Sequence, residues 1–193
     1  MSRRIDLAGF DARFAADRDP WGTFVHRDEG VKRHAIVRAL GPGPYARLLE
    51  LGCGNGSNSI ALAGHALRLD ACDGTPSAAR LTGRALADKP RAQAHRCVLP
   101  GRFPRPRYEA VVIAELLYYL PPVAMQHLAR DVARALAPGG CLVLAHHHID
   151  FHDTAQRSHA IHRRFLAATG RSWHPGRRRR NQRWTVESGR LGE

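Results

Sequence analysis

A glycine-rich loop that follows an apolar run is the first feature of this sequence that could do chemistry. The loop reads Glu50-Leu51-Gly52-Cys53-Gly54-Asn55-Gly56. Its glycines allow a sharp turn and a close approach of backbone to ligand, where a Cβ would clash. Ser57 replaces the third glycine of the dinucleotide pattern G-x-G-x-x-G. The carboxylate of Glu50 would repel a pyrophosphate, so the loop favours a ligand that carries a cationic amine.

A second acidic residue, Asp73, follows Glu50 by 23 residues and closes the next apolar run. In nucleotide-binding α/β folds, an acid at this place accepts hydrogen bonds from ribose hydroxyls. Asp70 lies within the run, where we expect a structural or edge role. The two acids and the loop therefore predict a nucleoside-type ligand with an amine.

Polar and aromatic residues follow a strongly apolar run at Tyr108–Ala114. Glu115 comes directly after it, where it could orient an amine or take its proton; the alternatives are a helix cap or an ion pair with an arginine. Tyr118 and Tyr119 are core or rim aromatics, or one of them faces a cationic ligand. Trp21 either covers the acceptor pocket expected beside Glu115 or anchors the N-terminal segment on the sheet.

A histidine cluster follows the last strongly apolar run. His146, His147 and His148 are consecutive, so their side chains alternate in direction along a strand and cannot all ligate one ion. We therefore expect no metal site. One of the three either faces the pocket as a base or hydrogen-bond partner, or belongs to a plain polar lining. We predict the pocket role for His146 and His148.

These residues need elements to position them, and the apolar patterns supply a strand–helix alternation. Parallel strands with helices on both faces follow from it, and ligands bind beyond the carboxyl ends of such strands. Strands are predicted at 46–51, 66–72, 93–98, 108–114 and 141–145. Helices are predicted at 31–40, 58–64, 76–87, 122–136 and 154–169, and the tail 171–191 is predicted to hold two short strands around an arginine run.

The length of 193 residues predicts one domain over 1–193. Residues 1–30 are charged and weakly periodic, and we interpret them as a segment that covers the acceptor side of the site. No apolar run reaches the ~20 residues that span a bilayer, and the N-terminus lacks the apolar stretch of a signal peptide. We expect a cytoplasmic protein, monomeric or dimeric, without membrane association.

Basic residues outnumber acidic ones, 30 against 17, for a formal charge of +13. That excess would suit nucleic acid, but only Lys32 and Lys89 are lysines, a bias that a GC-rich genome also produces. The densest cluster, Arg177–Arg180, is predicted to be a solvated loop; the alternative is a surface for nucleic acid or another acidic partner.

The four cysteines contain no C-x-x-C pair, so neither a zinc site nor a redox dithiol is predicted from their spacing. They are Cys53, Cys72, Cys97 and Cys141. We expect small, buried residues in a reducing compartment.

From Tyr45 to Leu144 the chain resembles the class I methyltransferases, on the strength of Glu50, the three glycines and Asp73. The resemblance implies S-adenosylmethionine as cofactor and a Rossmann-like α/β fold: a seven-stranded, mostly parallel sheet with helices on both faces and a reversed final strand. The chain lacks the acid that many members carry after strand three, and backbone near Val98 is the expected substitute at adenine. The predicted cofactor-binding residues are Glu50, Gly52, Cys53, Gly54, Gly56, Asp73, Gly74, Val98 and Ala114.

Further stretches are similar to the nodulation protein S family, N-methyltransferases of deacetylated chitooligosaccharides. They are Asp19-Pro20-Trp21, 114–120, 137–144, 165–168 and 182–184. A Tyr-Glu-x-x-Lys stretch of that family is matched by Glu29 and Lys32, with Asp28 in place of the tyrosine. The predicted acceptor-binding residues are Trp21, Glu29, Lys32, Tyr118 and Tyr119, beside the catalytic set Glu115, His146 and His148.

Three functions remain open at this point. The first is N-methylation of an amine on an oligosaccharide or small molecule. The second is RNA methylation, which the charge favours but the sequence after strand four does not, because 114–121 lacks the Asn/Asp-Pro-Pro-Tyr/Phe loop of enzymes that methylate planar amines. The third is a non-catalytic S-adenosylmethionine-binding module, against which the intact loop argues.

Overall fold

The computed structural model describes residues 4–192. Its helices are α1 Leu7–Ala16, α2 Arg27–Leu40, α3 Ser57–Ala63, α4 Pro76–Ala85, α5 Pro122–Ala135 and α6 Ile161–Ala168, and a 3₁₀ turn covers Leu117–Tyr119. Its strands are β1 Leu48–Leu51, β2 Leu69–Asp73, β3 Ala92–Arg96, β4 Tyr108–Ala114, β5 Leu136–His147, β6 Trp173–Arg180 and β7 Trp184–Leu191.

The strands form one seven-stranded sheet in the order β3-β2-β1-β4-β5-β7-β6. The pairs from β3 to β5 are parallel, whereas β7 runs antiparallel to both β5 and β6. The predicted α/β class, the strand number and the reversed final strand are confirmed. The order reverses between β1 and β4, and a ligand site is expected beyond the carboxyl ends of strands at such a point.

The central strands are buried on both faces, which is why they are apolar almost throughout. Alternate residues point to opposite faces: Leu49 and Leu51 pack toward α5 and α6, and Leu48 packs toward α2 and α3. Helices therefore cover both faces, as predicted.

Two helix predictions are wrong in extent. The predicted helix 31–40 is observed as α2, which begins earlier, at Arg27. In addition, α1 lies in the segment 1–30, where no helix is predicted. The predicted helix 154–169 is observed only as α6. Its first half is a loop because the backbone N–H groups of Ala155 and Gln156 donate to the carbonyl of Tyr118 instead of to a helical turn. Long-range hydrogen bonds outweigh local helix propensity here.

The arginine run is also corrected. Arg177–Arg180 lies within strand β6, at the edge of the sheet, and not in a loop. The guanidinium of Arg178 approaches Glu187 at 3.4 Å, and that of Arg179 lies 5.7 Å from the ring centre of Trp184. Charged, exposed residues on an edge strand discourage pairing with other chains.

None of the helices in residues 4–192 is long and apolar enough to cross a membrane.

Candidate active site

A cavity of about 1330 Å³ lies at the carboxyl ends of β1, β2 and β4. Pockets for one small ligand usually measure roughly 300–1,000 Å³. The cavity therefore has room for two molecules, and its lining divides into two parts: the glycine loop with Asp73, and a charged cluster around Glu115.

The glycine loop forms the first part. Gly52, Gly54 and Gly56 all have positive φ, at 76°, 56° and 85°, a conformation that favours glycine. Gly52 and Gly54 line the cavity together with Cys53. Gly56 does not line it; a Cβ there would lie 3.1 Å from Cα of Thr82, so its role is close packing of the loop on α4.

Asp73 stands beside this loop with its carboxylate partly satisfied. Oδ2 accepts a hydrogen bond from the backbone N–H of Gly54 at 3.1 Å, and Oδ1 accepts two from Thr75 at 2.9 and 3.0 Å. Burial raises the pKa of Asp73, and the hydrogen bonds from Thr75 and Gly54 oppose that rise. A carboxylate has about four acceptor positions, so Asp73 keeps capacity for a ligand hydroxyl in the cavity.

Glu50 does not reach the cavity, contrary to the prediction. Its side chain is 1 % exposed, and its Oε2 accepts a hydrogen bond from the hydroxyl of Ser59 on α3. Burial raises the pKa of Glu50 to about 7. The alternation along β1 explains the difference, because Glu50 points into the sheet's packing layer while the loop after Leu51 turns toward the cavity.

The second part of the lining is a cluster of opposite charges on three elements. The ammonium of Lys32 donates to Oε1 of Glu29 at 2.8 Å and to Oε1 of Glu115 at 2.7 Å. Nδ1 of His147 lies 3.0 Å from Oε1 of Glu115, and its Nε2 lies 3.6 Å from Oε1 of Glu29. Both carboxylates and His147 line the cavity, so two acids and an imidazole face any amine that enters it.

Glu115 is held in a strained and strongly charged setting. Its φ is 53°, in the left-handed region that non-glycine residues rarely occupy. Burial opposes ionisation, but Lys32 and His147 outweigh it and hold the pKa of Glu115 well below its usual range. Burial, with the charge of Glu115, raises the pKa of Tyr118, whose hydroxyl donates to Oε2 of Glu115. Glu115 is thus an ionised acceptor, and its partner is a lysine rather than an arginine.

The histidines divide differently from the prediction. His147 faces the cavity, whereas His146 and His148 do not line it. Nε2 of His146 accepts hydrogen bonds from the backbone N–H groups of Leu116 and Leu117 at 3.2 and 3.1 Å, so its ring supports the turn after β4. His148 turns to β7, where its Nε2 lies 2.8 Å from Oγ1 of Thr185. In residues 4–192, no group of three or more His, Cys, Asp or Glu is arranged to hold a metal ion.

The N-terminal segment contacts the glycine loop and lines the cavity. Nδ2 of Asn55, in the glycine loop, donates to Oδ1 of Asp19 at 2.9 Å. The ring of Trp21 packs on Phe14 of α1, with centroids 5.2 Å apart, and both rings line the cavity. Trp21 therefore packs on α1, earlier in the same segment, and forms part of the cavity wall.

Most of the residues predicted for the site are brought together at the cavity. Val98 is not, because its side chain is 49 % exposed and its neighbours Cys97 and Leu99 line the cavity instead. Asn55, His147 and the rings of α1 were missed, although the Asp19-Pro20-Trp21 stretch was a signal for the segment that carries α1. The predicted residues that do line the cavity are Trp21, Glu29, Lys32, Gly52, Cys53, Gly54, Asp73, Gly74, Ala114, Glu115, Tyr118 and Tyr119.

The chain is similar to known proteins in sequence and in fold. Residues 49–142 match the methyltransferase domain family. Nodulation protein S of Rhizobium tropici is 38 % identical over 133 residues, which are 67 % of this chain and 55 % of that protein. Nodulation protein S of Sinorhizobium fredii is 29 % identical over 133 residues, 68 % of this chain and 62 % of that protein. The chain thus spans less than two thirds of the length of these two relatives.

A solved structure has the same fold over nearly the whole chain. The N-methyltransferase NodS from Bradyrhizobium japonicum WM9, in complex with S-adenosyl-L-homocysteine, superposes with a TM-score of 0.81 at 20 % identity. The superposition covers 97 % of this chain and 98 % of that one. The fold is therefore the Rossmann-like fold that the resemblance to the class I methyltransferases implies.

Proposed function

We propose that this chain is an S-adenosylmethionine-dependent N-methyltransferase that acts on an amine of an oligosaccharide or other small molecule, on the premise that residues 49–142 match the methyltransferase domain family. The observation that carries the proposal is one cavity with two differently built parts, a glycine loop with Asp73 and an acidic cluster at Glu29 and Glu115. The similarity to nodulation protein S supports the oligosaccharide class of acceptor.

The loop side has the donors and acceptors that an S-adenosylmethionine molecule would need. Gly52 and Gly54 line the cavity without placing a side chain in it, and Asp73 keeps an acceptor position for a ribose hydroxyl. Cys97 and Leu99 supply the apolar edge beside it. When bound, S-adenosylmethionine supplies a methyl group on a positively charged sulfur.

The acidic side suits an amine in both of its protonation states. The ionised Glu115 attracts an ammonium ion and then accepts a hydrogen bond from the neutral amine, which holds the nitrogen lone pair in position. The imidazole of His147, 3.0 Å from Glu115, can take the proton that the amine loses. Lys32 fixes both carboxylates, so their geometry does not depend on the acceptor.

Two measurements test the proposal in sequence. Calorimetric titration with S-adenosylhomocysteine should show saturable binding in the micromolar range, and the absence of heat at high ligand would reject the cofactor. Transfer of labelled methyl is then compared on chitooligosaccharide amines and on total RNA in parallel reactions. We expect incorporation into the amine, with little dependence on salt.

RNA methylation is the second candidate, and the exposed arginines of β6 are the observation that favours it. Binding through phosphates weakens steeply with salt because counterions are released. Incorporation into RNA that falls steeply between low and moderate salt, with none into the amine, would establish this alternative and overturn the first.

A further inference from the structure

Two cysteines that are far apart in sequence lie side by side, one in the wall of the cavity and the other buried behind it. Cys72 is in β2, directly before Asp73, and Cys97 follows β3. Their sulfur atoms are 2.9 Å apart, and the backbone N–H of Cys97 donates to the carbonyl of Asp73 at 2.7 Å. Adjacent strands thus create a dithiol that the spacing of the cysteines does not indicate, because no C-x-x-C motif is present.

The two thiols differ in access. Cys97 is 9 % exposed and lines the cavity, whereas Cys72 is fully buried behind it. A small reagent that enters the cavity meets Cys97 first, and Cys72 is placed to react second. Cys141 serves as an internal comparison, since it is also buried but its sulfur lies near a backbone carbonyl, that of Leu40, at 3.9 Å.

The shared hydrogen bond also makes the two thiols chemically unequal. It lowers the pKa of Cys97, against burial and the charges of Asp70 and Asp73. The same hydrogen bond, together with burial, raises the pKa of Cys72. Cys97 is the thiol that a reagent in the cavity can reach, and the thiolate is the reactive form. Cys97 is therefore the nucleophile of the pair, and the buried Cys72 is the resolving thiol.

We propose that Cys72 and Cys97 are a reversible oxidation site for peroxide, with access controlled by occupancy of the cavity. The Cys97 thiolate attacks one oxygen of the peroxide, the O–O bond breaks, and sulfenic acid and hydroxide are formed. The Cys72 thiol then attacks the Cys97 sulfur, the S–O bond breaks, and water leaves with the proton of Cys72. The two thiols lose two electrons in total, the peroxide gains them, and an added dithiol reverses the reaction.

A ligand in the cavity can control access to the thiol pair because Cys97 lines the cavity on the side of Asp73. A nucleoside ligand held by Asp73 would cover the Cys97 sulfur and slow the first step. This part rests on the proposed function; the formation of the disulfide does not.

The test is peroxide treatment of the intact chain, read by mass spectrometry. We expect a product about 2 Da lighter, with peptides cross-linked through Cys72 and Cys97, that dithiothreitol converts back. Cys97→Ser and Cys72→Ser should each abolish the cross-link, while the matched variant Cys141→Ser keeps it. Circular dichroism confirms that each variant is folded. A product that gains only oxygen, or a cross-link that involves Cys53, would overturn the proposal.

Shielding is measured by adding S-adenosylhomocysteine at a concentration that saturates binding in calorimetry. We expect the cross-link to form several-fold more slowly. An unchanged rate at saturation would refute control by occupancy. If calorimetry shows no binding at all, the proposed function fails instead, and the cross-link alone decides whether the thiol pair is an oxidation site.

Discussion

The ammonium of Lys32 donates a 2.7 Å hydrogen bond to Oε1 of Glu115, across 83 positions of sequence. Lys32 is 2 % exposed, and its second carboxylate partner is Glu29, one turn earlier on α2. Removing water from three charges is costly unless they satisfy one another. The cluster therefore joins α2 to the carboxyl end of β4 and sets the charge of this part of the cavity in advance.

Replacing Lys32 should show how strongly the stability of the fold depends on this cluster. Lys32→Met keeps much of the side-chain volume but leaves two carboxylates facing each other without a cation. We expect the free energy of unfolding to fall by about 3 kcal/mol, measured by urea denaturation. Lys89→Met is the matched control, because Lys89 pairs with Asp88 on the surface, and its effect should stay within about 0.5 kcal/mol. Equal effects of the two changes would mean that the cluster does not stabilise the fold.

Glu115→Gln should separate catalysis from cofactor binding. The amide keeps the shape of the side chain but removes the charge that, in the proposed function, holds an amine. We expect turnover to fall by at least about 100-fold, with the affinity for S-adenosylhomocysteine within about twofold of the wild type. Glu109→Gln, at the opposite end of β4, is the control and should be silent in both assays. Normal turnover in Glu115→Gln would make Glu115 structural and leave His147 as the candidate.

Asp73→Asn, in contrast to Glu115→Gln, should weaken the binding of the cofactor. It removes one charged acceptor from the loop side, so the affinity for S-adenosylhomocysteine should fall by about 2 kcal/mol, or roughly 30-fold. Asp70→Asn is matched to it, because Asp70 lies on the same strand but is bound to His95 and Tyr108 away from the cavity. Calorimetry on both variants decides the assignment: an unchanged affinity in Asp73→Asn would remove it from the ribose position.

The loop side of the site could be predicted because its signals are local. Gly52 and Gly54 lie in the loop that follows β1, and Asp73 is the last residue of β2, so position in the sequence gives position in space. The histidines could not be assigned in this way. Alternation puts His146 and His147 on opposite faces, but only the packing of α2 on one face and α6 on the other decides which face holds the cavity.

Glu50 and Cys97 illustrate a second limit of prediction from the sequence. Glu50 lies two residues before Gly52, yet the alternation of side chains along β1 directs its carboxylate to Ser59 instead of the cavity. Cys97 and Cys72 become neighbours only through the pairing of β2 with β3. Contacts of this kind depend on strand register, and neither composition nor spacing encodes it.

Glu50 should make stability depend on pH in an unusual direction. Its pKa is about 7 in the folded chain against an ordinary value of 4.5. Between these values the folded chain keeps a proton that the unfolded chain has lost, so stability falls as pH rises, by about 1.4 kcal/mol per pH unit. Glu50→Gln removes this loss. We therefore expect the variant to gain on the order of 3 kcal/mol over the wild type between pH 4.5 and 7, with no further gain above.

Urea denaturation at several pH values measures this difference, and Glu109→Gln serves as a control with an exposed carboxylate. A difference between Glu50→Gln and the wild type that does not change with pH would show that Glu50 is ionised in the fold.

The turn that carries Glu115 should depend on a chain of buried side chains that ends on β7. Nδ1 of His146 lies 2.9 Å from Nε2 of His162, and Nδ1 of His162 lies 2.9 Å from Oε1 of Glu187. Glu187 accepts only, so His162 carries its proton on Nδ1, and His146 must do the same. Nε2 of His146 is then free to accept from the turn, as the hydrogen-bond network requires.

His162→Phe breaks this chain while it preserves an aromatic ring. The Nδ1 proton of His146 loses its buried acceptor, which should lower the free energy of unfolding by about 1–3 kcal/mol. His146 can then hold its proton on Nε2, where it repels the turn after β4, so turnover should fall while cofactor affinity changes little. His159→Phe, on the exposed surface three residues earlier, is the matched control. Nitrogen NMR of the histidine rings should show the Nδ1-protonated form of His146 in the wild type and lose it in His162→Phe. An Nε2-protonated His146 in the wild type would contradict the chain, because that nitrogen could not accept from the turn that holds Glu115.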